Sequence, residues 1–273
     1  MKILQRLAGE VAQYVGRDSW VIRRLRPAYE MALEWIHLGR GLPWSINGVR
    51  CRIDPRQRWR MVSHYESDVA SYLAANVKPG AVCLDVGANV GVYVLQFAHW
   101  VGPTGRVIAF EPNPAARSVL DRHVKLNELG GVVSIVPAAV GESAGRATLY
   151  TASADGMSRL DAPNEALEHV VPVEVDVLTL DEYCHSADLQ PDCLLVDIEG
   201  FEVAALRGGR DTISRGRGHM QIVVEMHPGS WRSAGASRDE VATLLRDLGL
   251  RPIPLTGQRD PLSDHGIVRM EWT

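Results

Sequence analysis

The run Leu84-Asp85-Val86-Gly87-Ala88-Asn89-Val90-Gly91 sets a carboxylate and two glycines between two strongly apolar stretches. Glycine serves where the backbone must bend sharply and admit a ligand without a Cβ in the way. In open α/β sheets ligands sit at the carboxyl ends of strands, where such a loop lies. A nicotinamide loop would read G-x-G-x-x-G and seat a pyrophosphate on the following helix N-terminus. Here the middle glycine is missing, and Asp85 stands where it would repel a pyrophosphate and welcome a cationic, amino-acid-like ligand. Glu111 follows 24 residues after Gly87, in Phe110-Glu111-Pro112. An acid at that place accepts hydrogen bonds from both hydroxyls of a ribose. Loop and acid together point to S-adenosylmethionine, whose ammonium and ribose need these acceptors. Asp85, Gly87, Ala88, Asn89, Gly91, Glu111 and Pro112 are therefore the expected cofactor-binding residues.

A second constellation lies further along, in Val196-Asp197-Ile198-Glu199-Gly200-Phe201-Glu202. On a strand, the i, i+2 spacing of Asp197 and Glu199 turns both carboxylates to one side. Placed at a strand end beside the expected methyl group, Asp197 would serve both cofactor and catalysis. Two close carboxylates raise one another's pKa, so one can act as a base or hold a cation. Glu202 carries the least information, because an acid in a helix's first turn stabilises the helix dipole in any case. Glu225-Met226-His227-Pro228 ends another apolar run, and His227 titrates in the range suited to taking a proton from an alcohol. His227, Asp197 and Glu199 are the expected catalytic residues. The alternative is a divalent metal held by Asp197, Glu225 and His227. Tyr65-Glu66 is read as a lid over the cofactor carboxylate, with an exposed helix-start acid as the alternative. Trp44, Trp59 and Trp231 are candidates to line an acceptor cleft.

These residues need strands and helices to place them. Residues 1 to about 40 show helical periodicity (Leu4, Leu7, Val11, Val15, then Tyr29, Met31, Leu33, Trp35, Ile36) with a break expected near Arg26-Pro27. WSINGVRCRID reads as a hairpin turning at Asn47-Gly48, since both central residues of that turn need positive φ. A helix is expected over about 64–76. From residue 81, strands alternate with helices: AVCLDVG, GRVIAFE, VVSIVPAAV, DCLLVDIE and MQIVVEMH as strands, with VGVYVLQFAHWV, PAARSVLDRHVKLNEL, FEVAALRGGRDTI and SRDEVATLLRDLG as helices. ATLYTA and VPVEVDV flank a polar loop inside a less regular stretch, and IPL with GIVRMEWT reads as a closing antiparallel pair. Continuous apolar strands alternating with helices imply an α/β fold with a doubly wound, mostly parallel sheet covered on both faces.

The 273 residues are 46% hydrophobic and 23% charged, an ordinary globular composition that can bury a large core. No apolar run approaches the ~20 residues that span a bilayer, and the N-terminus has no clean signal-peptide core. Cys51, Cys83, Cys184 and Cys193 lack metal spacing and read as reduced thiols of a cytoplasmic protein. Residues 1–60 hold 12 Lys and Arg against 5 Asp and Glu, although the whole chain is at −4. That segment is a solvated basic face, or it contacts an acidic carrier or a membrane surface. The half bearing the motifs is acidic, which argues against nucleic acid as a partner.

LDVGANVG, GRVIAFEPNP, Leu178-Thr179-Leu180-Asp181, VDIEGFE and VEMHP, together with Asn47-Gly48, Tyr65-Glu66, Asn127 and PAAVG, resemble the FkbM family of S-adenosylmethionine-dependent methyltransferases over roughly residues 47–228. The resemblance implies a class I, Rossmann-like fold with a seven-stranded sheet, divided as a cap over 1–60 and a methyltransferase domain over 61–273. A hairpin would be inserted within 141–190. It also implies O-methylation of a sugar, polyketide or other secondary-metabolite hydroxyl, and the Arg-rich, Lys-poor usage (26 Arg, 3 Lys) fits a GC-rich bacterial source. Two departures stand out. The acid that many class I enzymes place near adenine is replaced by Ala138-Ala139-Val140, leaving adenine to backbone groups and packing around Ala139. The serine-rich acceptor loop is reduced to Ser158 within Gly156–Leu160. The rival readings are a nicotinamide oxidoreductase on a similar sheet and a cofactor-binding scaffold without turnover.

Overall fold

A computed structural model describes residues 20–152, 158–159 and 170–273. The helix expected over Leu4–Val15 and most of the loop Gly156–Leu160 lie outside them. The described part begins with α1 (Trp20–Ile36), which runs through Pro27 instead of breaking there. A proline removes one helical hydrogen bond, but the turns after it are fixed by burial of Leu33 and by the Glu30–Arg58 ion pair, 3.0 Å long. Before and along this stretch Leu25, Met31, Trp35 and Ile36 stay exposed. β1 (Leu42–Ile46) and β2 (Val49–Ile53) form the expected hairpin. Its turn puts Asn47 at φ 46° and Gly48 at φ 86°, the geometry that the Asn-Gly pair favours. Leu42, Ile46, Ile53 and Met61 pack against Val90, Val92 and Leu95, so the hairpin rests on the helix that follows the glycine loop.

The central sheet is built from α2 (Ser67–Asn76), β3 (Val82–Val86), α3 (Val92–Val101), β4 (Arg106–Phe110), α4 (Pro114–Leu126) and β5 (Val133–Val136). Its second half is α5 (Leu180–Ser186), β10 (Cys193–Val196), α6 (Glu202–Arg207), α7 (Arg210–Arg215), β11 (Gln221–Met226), α8 (Pro228–Trp231), α9 (Arg238–Leu248), β12 (Leu250–Pro254) and β13 (Gly266–Trp272). The seven strands lie in the order β12-β13-β11-β10-β3-β4-β5, parallel except where β13 runs antiparallel to both neighbours. Alternation along each strand fills both faces. Leu84, Val86, Phe110, Leu194 and Val224 meet α5, α6 and α9. Cys83, Val107, Cys193 and Val223 meet α2, α3 and α4. At roughly 1.5–3 kcal/mol for each large apolar side chain fully buried, these layers hold the strand ends in place. Cys83, Cys184 and Cys193 are buried free thiols, and Cys51 is half-buried.

Two expected elements are divided. VVSIVPAAV is not one strand: β5 stops at Val136, and β6 (Ala138–Val140) leaves the main sheet for a second one. Pro137 has no N–H to continue the ladder, so the chain changes sheets there. β6 pairs with β9 (Val170–Leu178), and β9 with β7 (Gly145–Ala152), which also carries β8 (Ser158–Arg159). The expected hairpin is thus the β7–β9 pair of a four-stranded sheet. FEVAALRGGRDTI is likewise two short helices, α6 and α7, parted at Gly208-Gly209. A Cβ on Gly208 would come within 2.0 Å of the Gly141 carbonyl oxygen, a close approach that only glycine allows. Among the described residues no helix is long and apolar enough to cross a membrane.

Candidate active site

The parallel strands β4, β3, β10 and β11 end at one edge of the sheet, and the sequence-derived residues collect there. Gly87, just past β3, adopts φ 92°, and a Cβ on it would lie 1.9 Å from the Asp197 carbonyl oxygen. The glycine therefore lets the β3 loop close against the β10 loop. The Gly87 and Ala88 amides both donate to the Phe110 carbonyl at 3.1 Å, tying the same loop to the end of β4. Gly91, also at φ 92°, turns the chain into α3.

Asp85 is almost fully buried, and its Oδ2 has no hydrogen-bond partner among the described residues. Burial, reinforced by the Glu111 charge, lifts its pKa to about 7. Glu111 is also buried and accepts the Asn89 and Asn113 amides, each at 2.7 Å. Burial raises its pKa to about 6, against the opposing pull of those amides and of Arg117 and Arg60. Asn89, at φ 48°, accepts a hydrogen bond from Arg60 at 2.8 Å. A buried carboxylate oxygen without a donor and a second carboxylate aligned by loop amides suit a ligand with a positive charge and hydroxyls. S-adenosylmethionine has both, so these residues fit it. Pro112 continues the loop after Glu111, and its carbonyl is held by Arg117 at 3.0 Å. The Ala139 side chain is turned into an apolar cluster with Leu149 and Val175.

Glu66 sits at the start of α2 with φ 41°, and its Oε2 accepts the Tyr93 hydroxyl at 2.6 Å. Tyr65 packs edge-on to Tyr93 with ring centres 5.7 Å apart, and its carbonyl is held at 2.6 Å by Asn47 from the hairpin turn. Burial is the main cause of a raised Glu66 pKa.

At the end of β10, Asp197 lies beside Glu225, since the parallel register sets Val196 opposite Val224 one residue earlier. Burial and then the Glu225, Glu199 and Glu66 carboxylates push its pKa well above the ordinary value. Glu199 holds φ 52° and Gly200 φ 106° as the chain swings into α6. His227, past β11, lies with Nε2 3.7 Å from Glu199 Oε2 and 3.8 Å from Glu225 Oε1. Its Nδ1 is hydrogen-bonded to Glu202. Burial opposes a charge on this imidazole, but the Glu202 hydrogen bond and the Glu202, Glu225 and Glu199 carboxylates outweigh it, so its pKa is raised.

The sequence undervalued Glu202. It is fully buried, and besides His227 it accepts the Gly200 amide at 2.8 Å and the Trp231 indole at 3.2 Å. Trp231 is accordingly a core residue that holds Glu202, a correction to its expected place in an acceptor cleft; it is 2% exposed. Trp44 donates to the Met61 carbonyl, while Trp59 is exposed. His265 was not anticipated. Antiparallel pairing sets Glu225 opposite Ile267 and Met226 opposite Gly266, so the next residues out, His227 and His265, become neighbours. Their rings lie 4.7 Å apart, and His265 Nε2 is 2.9 Å from Glu225 Oε1. Glu225, His227 and His265 each offer one ligand atom, all within 4.8 Å of one another.

The family described as the methyltransferase FkbM domain matches residues 85–252. The chain belongs to that family. It is a methyltransferase of the kind that uses S-adenosylmethionine, with the seven-stranded fold described above. The chain is 26% identical to methyltransferase sdnD of Sordaria araneosa over 206 residues, covering 65% of this chain and 76% of that one. With the 2-O-methyltransferase NoeI of Sinorhizobium fredii it shares 25% identity over 155 residues, 51% of this chain and 62% of the relative. The crystal structure of an FkbM methyltransferase from Methylobacillus flagellatus is similar with 16% identity and a TM-score of 0.46, over 91% of this chain and 59% of that one.

Proposed function

We propose that this FkbM-family enzyme transfers a methyl group to a hydroxyl of a sugar, glycoside or other small secondary-metabolite acceptor. S-adenosylmethionine supplies the methyl as a sulfonium-activated group. In this reading Asp85 and the Gly87–Gly91 loop hold the amino-acid end, Glu111 holds the ribose, and Glu66 with Tyr65 closes over the site. Adenine is left to backbone groups near Ala139. The observation that carries the hydroxyl as acceptor is the Glu199–His227 pair, 3.7 Å apart at the strand ends next to the Gly87 loop. An alcohol must lose its proton as it attacks, and a carboxylate beside an imidazole can receive it. Asp197, whose pKa burial and the neighbouring carboxylates raise, stands beside Glu225 at the next strand end. Because the methyl donor is already reactive, holding the hydroxyl in line accounts for most of the acceleration. The name 2-O-methyltransferase borne by NoeI agrees with a hydroxyl acceptor.

The test incubates the protein with S-adenosylmethionine and a panel of sugars, glycosides and phenolic or polyketide alcohols, reading a one-methyl mass gain and its position. Transfer to oxygen, lost in His227→Ala with cofactor affinity retained, supports the reading. Methyl transfer that appears on nitrogen or carbon would overturn it.

A further inference from the structure

We infer that Glu225, His227 and His265 form a binding site for a divalent transition-metal ion at the acceptor side of the active site. The inference rests on the methyltransferase reading and extends it. Two observations carry it. One is the ligand set itself, a carboxylate and two imidazoles with one donor atom each inside 4.8 Å, His265 Nε2 being 2.9 Å and His227 Nε2 3.8 Å from the same Glu225 oxygen. Donors on a tetrahedral ion with bonds of ~2.1 Å stand roughly 3.4 Å apart, so small side-chain shifts suffice.

The other is the state of His227. Its Nδ1 faces Glu202, which can only accept when ionised, so Nδ1 is assigned the hydrogen and Nε2 is the ligating nitrogen. That nitrogen meets two carboxylate oxygens at 3.7 and 3.8 Å, beyond hydrogen-bond reach of either. His227 Nε2 thus makes a hydrogen bond to neither carboxylate, while the second imidazole, His265, reaches the same Glu225 oxygen at 2.9 Å, so one cation could be shared by all three side chains. Glu202 in turn is fixed by the Gly200 amide and the Trp231 indole. A buried carboxylate orienting a histidine through its far nitrogen is how metal-ligating histidines are held.

Two imidazoles with one carboxylate suit zinc, cobalt or manganese better than the all-oxygen preference of magnesium or calcium. Three protein ligands leave a coordination position open, as in catalytic rather than structural sites. The acceptor hydroxyl fits that position: the ion lowers its pKa, and the proton passes to Glu199.

Cobalt(II) chloride is the probe. The full chain, stripped with a chelator and dialysed, is titrated by calorimetry and visible absorption, and S-adenosylhomocysteine is titrated separately. The site predicts one cobalt per chain with a d–d absorption band. His265→Ala and Glu225→Gln should each weaken cobalt about a hundredfold, and Glu202→Gln about tenfold. S-adenosylhomocysteine affinity should stay near wild type in His265→Ala, which also reports that the variant is folded. No cobalt binding, or binding unchanged in both ligand variants, overturns the metal site while leaving the methyltransferase reading intact. Failure of folded wild type to bind S-adenosylhomocysteine would strike the underlying reading instead.

Discussion

Glu202 and His227 are joined by a hydrogen bond from the imidazole Nδ1, and the other Glu202 oxygen is taken by the Trp231 indole at 3.2 Å. The pair locks the ring that faces Glu199 and Glu225. It also makes a first-turn helix acid into a keystone of three segments: the Gly200 turn, His227 and α8.

Glu202→Ala removes the acceptor from three donors at once. Each buried donor left unsatisfied costs about 1–3 kcal/mol, so a total loss of at least roughly 3 kcal/mol in stability is expected by urea denaturation. Glu202→Gln should keep the shape and most of the stability but lower kcat more than it changes KM. Equal loss in both parameters would contradict a positioning role.

Cofactor affinity should rise with pH. Asp85 and Glu111 have pKa values of about 7 and about 6, both raised chiefly by burial. A cationic ligand prefers their ionised forms, so binding should release protons and tighten as pH increases from about 5.5 to 7.5. Calorimetry in buffers of different ionisation enthalpy reads the proton count. Proton uptake on binding would have the wrong sign.

The same shift burdens the free protein. A carboxyl whose folded pKa lies above its unfolded value binds more protons when folded, so stability falls as pH rises from about 4 to about 7. Asp85→Asn removes that loss. The variant should melt higher than wild type at pH 8, by on the order of 1 kcal/mol, while binding S-adenosylhomocysteine at least about tenfold more weakly. A variant that is less stable at pH 8 and binds normally would contradict both roles of Asp85.

Gly87→Ala should be among the most damaging methyl additions in the molecule. The new Cβ would sit 1.9 Å from the Asp197 carbonyl, on a residue at φ 92°. Strain and overpacking of this kind cost roughly 2–4 kcal/mol together. Gly145→Ala, which meets nothing within 4 Å among the described residues, is the control and should be nearly neutral. Thermal denaturation of the two variants decides it.

What could be read beforehand followed the strands. Asp85, Glu111, Asp197 and His227 end apolar runs whose parallel pairing forces them to one edge, so periodicity alone gathered them. The divided elements were marked in the sequence by Pro137 and by Gly208-Gly209, residues that interrupt a ladder and a helix respectively. Pro27 misled in the other direction, because the Glu30–Arg58 pair and buried Leu33 belong to tertiary packing that no local pattern reveals. His265 was illegible for the same reason. It lies in a loop, and only the antiparallel register of β13 on β11 brings it beside His227. Glu202 looked like a helix-dipole acid until Trp231 and His227 were seen converging on it.

The central claim is that Asp85, the Gly87 loop and Glu111 form the S-adenosylmethionine site. Its most direct test is calorimetric titration of S-adenosylhomocysteine into wild type and Glu111→Ala, with circular dichroism confirming both folds. One site of micromolar affinity in wild type, weakened at least about tenfold in the variant, is the predicted result; that is the loss of roughly 1.4 kcal/mol or more in binding. Absence of binding by folded wild type, or equal affinity in the two proteins, would contradict it.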